Sequence, residues 1–367
     1  MNRTEFLKLC GILGVGLPMQ SALASCQQST VAPSSFTGKV LIIGAGAGGL
    51  SAGYLLKQQG IAFEILEASS RFGGRMRINT TFADFPIPLG AEWLETSPSV
   101  FQEIVNDAKV SVNIKTVADD PDRKFVGSSW YSFFEEYIVP AVLPHIRYDH
   151  VVSSIDYSNL KIQVNSSKGT FVADKVIVSV PLKILQDKAI SFSPSLPAEK
   201  LNAIANTNIW EGFKAFFEFS ENFYGEGHEY AISPKTDGQK IYYDASLGQN
   251  TQKHILGLFV VGKPAQVYLS LSDAALKKYV LSELDALYAN KASSKYLKHI
   301  SQNWNAEPYI RGGYMSDYAD WRTVKILGEP VADKLYFAGG AYTDGEDWVS
   351  VHTAARSAKV AVGNLLK

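Results

Sequence analysis

The stretch Val40–Glu67, VLIIGAGAGGLSAGYLLKQQGIAFEILE, sets how the rest of the chain is read. Four apolar residues, Val40 to Ile43, run into Gly44-Ala45-Gly46-Ala47-Gly48-Gly49. An apolar helical pattern follows, and a second short strand, Phe63 to Leu66, ends on Glu67. This order spells a βαβ unit with glycines at its first turn. Gly44 permits a tight turn, and Gly46 lets the backbone approach a pyrophosphate. Gly49, beside Gly48, lets the helix pack closely on the strand. The helix start offers unpaired N–H groups and a partial positive charge to phosphates. Glu67, 18 residues past Gly49, stands where a carboxylate accepts hydrogen bonds from an adenosine ribose. The unit is expected to hold a dinucleotide.

Outward from this unit the composition is that of a globular protein. The 367 residues suffice for two domains, and 46% hydrophobic with 12% aromatic residues supplies their cores. Thirty-five basic and 36 acidic residues are mixed along the chain to a net charge of −1, which gives no footprint for nucleic acid. Arg3 and Lys8 precede an apolar run from Leu9 to Ala24 that Pro18 and Gln20 interrupt, the pattern of a secretory signal. Leu23-Ala24-Ser25-Cys26 resembles a bacterial lipobox, in which Cys26 would be acylated and Gln27 to Ser35 would form a tether. The alternative is a plain cleaved signal. Thr4 stands where a twin-arginine signal has its second arginine, so the export route stays open. Export to the periplasm or cell envelope is the expected localisation. Cys10 and Cys26 are the only cysteines, so the mature fold is expected to have no disulfide and no cysteine metal site, and no metal ligands are assigned.

Directly after Glu67 comes Ala68-Ser69-Ser70-Arg71-Phe72-Gly73-Gly74-Arg75, a second glycine loop with guanidinium groups beside it, suited to an anionic diphosphate. ILEASSRFGGR, together with Leu89-Gly90-Ala91-Glu92-Trp93, resembles the flavin-dependent amine oxidases within the FAD-binding oxidoreductases. The resemblance implies FAD as cofactor. It places Gly44, Gly46, Gly48, Gly49, Glu67, Ala68, Gly74 and Arg75 along the nucleotide, and Gly90, Ala91, Glu92 and Trp93 beside the flavin ring. Residues 147–180 read as short strands divided by Ser-Asn and Ser-Lys-Gly turns. They resemble the family's β-meander, in which Val152 meets the adenine. Leu335 to Gly340 is an apolar strand ending in glycines, and Val351 to Leu366 is a closing helix. By resemblance Gly339, Gly340, Val351 and His352 form the last flavin contacts, with a helix start aimed at the ring's electron-rich edge.

Lys214 interrupts the apolar, aromatic run Phe213 to Phe217. In amine oxidases and histone lysine demethylases a lysine on a matching strand holds a water beside the flavin N5, and the resemblance gives Lys214 that catalytic role. Read alone, a lysine in a strand is a solvated edge charge. Trp304, Tyr314 and Trp348 are candidates to wall a substrate site with π faces that receive an amine. The bland reading of each is aromatic core. Asp344, Glu346 and Asp347 make an acidic turn before the last helix, suited to its dipole or to attracting a cationic substrate. The sequence also departs from the family. Gly340 replaces a common glutamate, Val351 falls near a cage tyrosine, Thr353 and Ala358 replace glycines, and the interval Trp93 to Gly127 is short.

The expected fold is α/β: a Rossmann-like FAD-binding domain with a parallel sheet and a β-meander, plus an inserted α+β substrate domain. Residues 1–26 are assigned to the signal and 27–37 to a linker. The FAD-binding domain takes 38–95, 140–182 and 333–367, and the substrate domain takes 96–139 and 183–332. The resemblance implies an oxidase that converts a small-molecule amine to an imine while O2 becomes hydrogen peroxide. Two alternatives remain: a flavin-dependent desaturase or isomerase of a lipid or polyene, and a noncatalytic envelope protein that retains FAD.

Overall fold

A computed structural model describes residues 36–119, 121–225, 227–230, 237–316, 319–343 and 349–367. The signal and lipobox segment, the acidic turn at 344–347 and Trp348 lie outside the described residues. Strand β1 (Lys39–Ile43), helix α1 (Ala47–Gln58) and strand β2 (Ala62–Leu66) form the βαβ unit. A small antiparallel sheet follows from β3 (Trp93–Leu94), β4 (Thr116–Asp119) and β5 (Asp122–Phe125), with α2 (Ser99–Val105) between the first two. Helix α3 (Trp130–Tyr137) leads back to β6 (Ile146–Arg147). The meander is β7 (Val152–Asp156), β8 (Ile162–Ser166) and β9 (Gly169–Ala173), and β10 (Lys175–Val178) returns to the main sheet.

After α4 (Ala198–Asn206) come β11 (Gly212–Phe219), β12 (Gly227–Tyr230), β13 (Gly238–Asp244) and β14 (His254–Gly262). Then follow α5 (Asp273–Leu287), β15 (Tyr296–Asn303), α6 (Trp321–Gly328), β16 (Leu335–Phe337) and α7 (Val351–Leu365).

The main sheet is parallel throughout, in the order β16-β10-β1-β2-β6. Alternate residues face opposite sides of each strand, so one β1 segment feeds two cores. Val40 and Ile42 pack with α1, α3 and α7, while Leu41 and Ile43 pack with the meander and the segment 182–204. The α/β class and the Rossmann-like unit stand as expected. Residues of α2, β5 and α3 share the first of these cores, through Phe101, Phe125, Trp130 and Phe133. The segment 96–139, assigned from sequence to the substrate domain, thus buries its aromatic side chains on the nucleotide side, and Arg356 of α7 pairs with Glu103 of α2.

The second large sheet is antiparallel, in the order β12-β13-β14-β11-β15. Phe213, Ala215, Phe217 and Phe219 face α5 through Leu276, Val280 and Leu284. The opposite face, which carries Phe216 and Tyr243, packs on Phe82, Phe85, Ile87 and Leu89. By the same alternation Lys214 lies on this second face, toward the loop that ends at Trp93.

Candidate functional site

At the carboxyl end of β1 the loop is shaped by what it cannot hold. A Cβ on Gly49 would stand 1.9 Å from the Gly44 carbonyl oxygen, and one on Gly48 2.9 Å from Gly339 Cα. Gly44 has φ +103, which a side chain resists. Nothing lies within 4 Å of a Cβ built on Gly46, so this position faces open space. Glu67 closes the cradle: one carboxylate oxygen accepts from the Ala45 N–H at 2.7 Å, the other from the Ser69 N–H at 2.9 Å. Ala68 is half-buried between them. Gly74 approaches Gly46, and the Gly73 N–H donates to Ala45 O at 2.8 Å, which brings the second glycine loop beside the first. A cradle with an open floor, a helix start behind it and a carboxylate at its far end fits an adenine dinucleotide such as FAD.

The Arg75 guanidinium, its pKa lowered by burial, donates to the Gly313 carbonyl and so ties the nucleotide loop to the segment 311–314. A Cβ on Gly90 would lie 1.7 Å from Arg75 O, and the Ala91 N–H donates to that carbonyl at 3.1 Å. Val152 is buried at the start of β7. Gly339 has φ +138, and its N–H donates to Ser357 Oγ at 2.8 Å. Gly340 is crowded: a Cβ there would meet Val349 Cγ1 at 2.9 Å, so a glutamate at this position would need Val349 moved. Ser350 and Thr353 form a capping box at the start of α7, which gives Thr353 a use that glycine could not fill. Val351 and His352 are buried there, and His352 Nδ1 meets Ser350 Oγ.

Lys214 is 2% exposed. Its three ammonium protons have three protein acceptors: Pro88 O at 2.9 Å, Gly90 O at 3.2 Å and Glu92 Oε2. Desolvation pulls its pKa down, and the contact with Glu92 opposes that. Glu92, expected beside the cofactor, turns its carboxylate into this cluster, where Tyr243 OH also donates to Oε2. Burial, then Glu92, push the Tyr243 phenol well above its usual pKa. Glu92 Oε1 faces Lys124 Nζ at 3.6 Å, and Lys124 donates to Asp244 O at 2.8 Å. Gly257 makes room for this arrangement, since a Cβ there would stand 2.3 Å from Tyr243 Cζ.

Beside the cluster three partly exposed aromatics form a continuous surface. Trp93 meets Phe259 edge-on at 5.5 Å, and Phe259 stacks with Tyr314 at 6.4 Å. Lys214 Nζ lies 5.2 Å from the Trp93 ring centre. Trp304 does not join them. It is buried behind the loop, donates from Nε1 to Leu89 O at 3.0 Å and carries the Arg77 guanidinium over its ring, so it supports the site rather than walls it. Phe259, Tyr243 and Lys124 are site residues that sequence reading missed.

The family model described as flavin containing amine oxidoreductase matches residues 138–366, and one for an NAD(P)-binding Rossmann-like domain matches residues 42–108. Lysine-specific histone demethylase 1 homolog 3 of Arabidopsis thaliana is 28% identical over 206 residues, 54% of this chain and 13% of that protein. Probable polyamine oxidase 4 of Arabidopsis thaliana is 29% identical over 200 residues, 53% of this chain and 39% of that protein. The chain thus spans well under half the length of these relatives. Among solved structures, wild-type putrescine oxidase bound to putrescine superposes with a TM-score of 0.72 at 14% identity, over 90% of this chain and 99% of that one, a likeness of fold.

Proposed function

Since the chain belongs to the flavin-containing amine oxidoreductases, whose cofactor is FAD, we propose that it is an FAD-dependent oxidase acting on the CH–NH or CH–NH2 group of a small amine. Gly44, Gly46, Gly48, Gly49, Glu67, Ala68, Gly74 and Arg75 would hold the nucleotide, with Val152 at the adenine. Gly90 to Trp93, Gly339, Gly340, Val351 and His352 would border the ring. FAD supplies the two-electron acceptor. The amine loses a hydride from carbon and a proton from nitrogen to give an imine, which water hydrolyses; O2 takes the two electrons and two protons as hydrogen peroxide. Trp93, Phe259 and Tyr314 would receive the amine against their π faces and keep water from it. Lys214 would hold the Pro88–Glu92 loop in place from beneath, with Glu92 as its counter-ion. Trp348 is retained as a candidate substrate contact.

The observation that carries this reading is Lys214, buried in β11 and bound to the carbonyls of the loop that carries Trp93. The test is the visible spectrum of the purified protein, followed without oxygen while primary amines, secondary amines and amino acids are added. Bleaching by one group, with peroxide formed on admitting air, supports the oxidase. A flavin spectrum that no amine bleaches overturns it in favour of a lipid or polyene desaturase, or of FAD kept as a structural ligand. Export with a lipid on Cys26 is part of the same proposal, on the strength of Leu23-Ala24-Ser25-Cys26. Labelled palmitate should enter the wild-type protein and not Cys26→Ala.

A further inference from the structure

The chain enters the fold at the end of the molecule where the parallel strands begin. Phe36 is the first described residue, and Lys39 opens β1. One carboxylate joins this entry to the turn between β7 and β8: Asp174 Oδ2 accepts the Lys39 N–H at 2.8 Å, and its other oxygen pairs with Lys161 Nζ. Lys334 Nζ, just ahead of β16, holds the same turn through Tyr157 O at 2.9 Å and Asn159 O at 2.7 Å. Lys175 Nζ donates to Leu365 O at 2.9 Å and lies 5.4 Å from the Phe36 ring centre, so the last turn of α7 ends here as well. Between the two lysines that fix the turn, Leu160 is 87% exposed, the most exposed large hydrophobic side chain among the described residues. Val172, two residues before Asp174 on β9, is exposed beside it. A lone exposed leucine is ordinary in itself. What singles this one out is its place at the chain's entry.

Only Gln27 to Ser35 separate Cys26 from Phe36, a length of chain that spans at most about 35 Å. An acyl group on Cys26 therefore keeps this end of the fold within that reach of a bilayer, whatever path the tether takes. Charge here is near balance. Asp174, Asp333 and Glu64 face Lys161, Lys175 and Lys39, and Asp156 stands by Lys334. The surface neither repels an anionic bilayer strongly nor draws it, so the tether and the apolar tip decide. We propose that the turn 157–161 is a bilayer-docking face, with Leu160 entering the headgroup region and Val172 beside it. The glycine cradle, at the carboxyl end of β1, then faces away from the membrane, and the site takes its substrate from water. The inference rests on the Cys26 anchor proposed above and is independent of the amine reading.

Cys10 and Cys26 are the only cysteines, so once the signal is removed and Cys26 acylated, one added cysteine is the single free thiol. Leu160→Cys supplies it on the turn, and Ser282→Cys on the exposed face of α5 is the control. Each acylated protein is labelled with a polarity-sensitive fluorophore and placed in vesicles of phosphatidylethanolamine and phosphatidylglycerol. Lipid that carries a nitroxide should dim the label at 160 about threefold and leave the label at 282 nearly unchanged. Equal quenching at both positions, or none at 160 in protein that floats with the vesicles, overturns the docking face and leaves the anchor standing. A label at 160 that is shielded from iodide in water yet untouched by the lipid nitroxide assigns the turn to a protein partner or a second copy, and overturns it too. Protein that carries no palmitate on Cys26 overturns the anchor and the docking face together.

Discussion

An ammonium enclosed by Trp93, Phe216 and Tyr243 is tolerated only because a carboxylate and two carbonyls meet it. The pair need not add stability over an apolar pair of the same size, but removing one half is costly. Lys214→Met should therefore lower stability by about 3 kcal/mol, because Glu92 is left buried with Lys124 and Tyr243 as its remaining partners. Adding Glu92→Gln to that variant should recover part of the loss, since the half-paired carboxylate is removed while Lys124 keeps the Asp244 carbonyl as its acceptor. Urea unfolding of the three proteins checks this, and a double variant less stable than Lys214→Met would refute it. Lys214 was legible in the sequence because an ion in an aromatic strand needs an explanation. Its partners were not. Glu92 lies 122 residues away and Tyr243 151 residues from Glu92, and no local pattern joins them.

Among elements, α4 and α6 are clasped by one side chain. Lys200 Nζ donates to Ile326 O at 2.8 Å and Leu327 O at 2.9 Å, carbonyls of the last turn of α6, and lies 3.9 Å from the Phe337 ring centre. Desolvation, opposed by Glu329, draws its pKa down to about 7. An unfolded lysine holds its proton to about 10.4. Between these values the unfolded chain binds the extra proton, so stability should rise as pH increases, and be flat in this respect below pH 7. The rise is on the order of 3 kcal/mol between about pH 7 and pH 9.5. Lys200→Met should lack it, as denaturant midpoints at the two pH values would show. The βαβ unit could be read from sequence because close backbone contacts require glycine at positions 44, 48 and 49. The edge strand β15 could not: Leu297 and Lys298 are exposed, so YLKHISQN carries neither a clean alternation nor an apolar run.

For the molecule as a whole, the cofactor cradle and the parallel sheet are one structure, so binding and folding should be linked. Wild-type protein should melt at rising temperature as FAD is added, with about 2.7 kcal/mol gained at a hundredfold excess over Kd. Gly49→Ala forces a methyl group to 1.9 Å from Gly44 O and should show no such dependence, and calorimetry with and without FAD distinguishes the two. The order of the sheet has a consequence during synthesis. In β10, Val176 finds its outer neighbour in Leu335, 159 positions later. A ribosome adding about 5–20 residues each second leaves that strand without its partner for roughly 8–30 s. Through that interval the nascent chain presents an open strand edge to every neighbouring polypeptide. Gly339, which packs on Gly48 of the glycine loop, follows that strand, so the cradle too is complete only after residues 335–339 have been made.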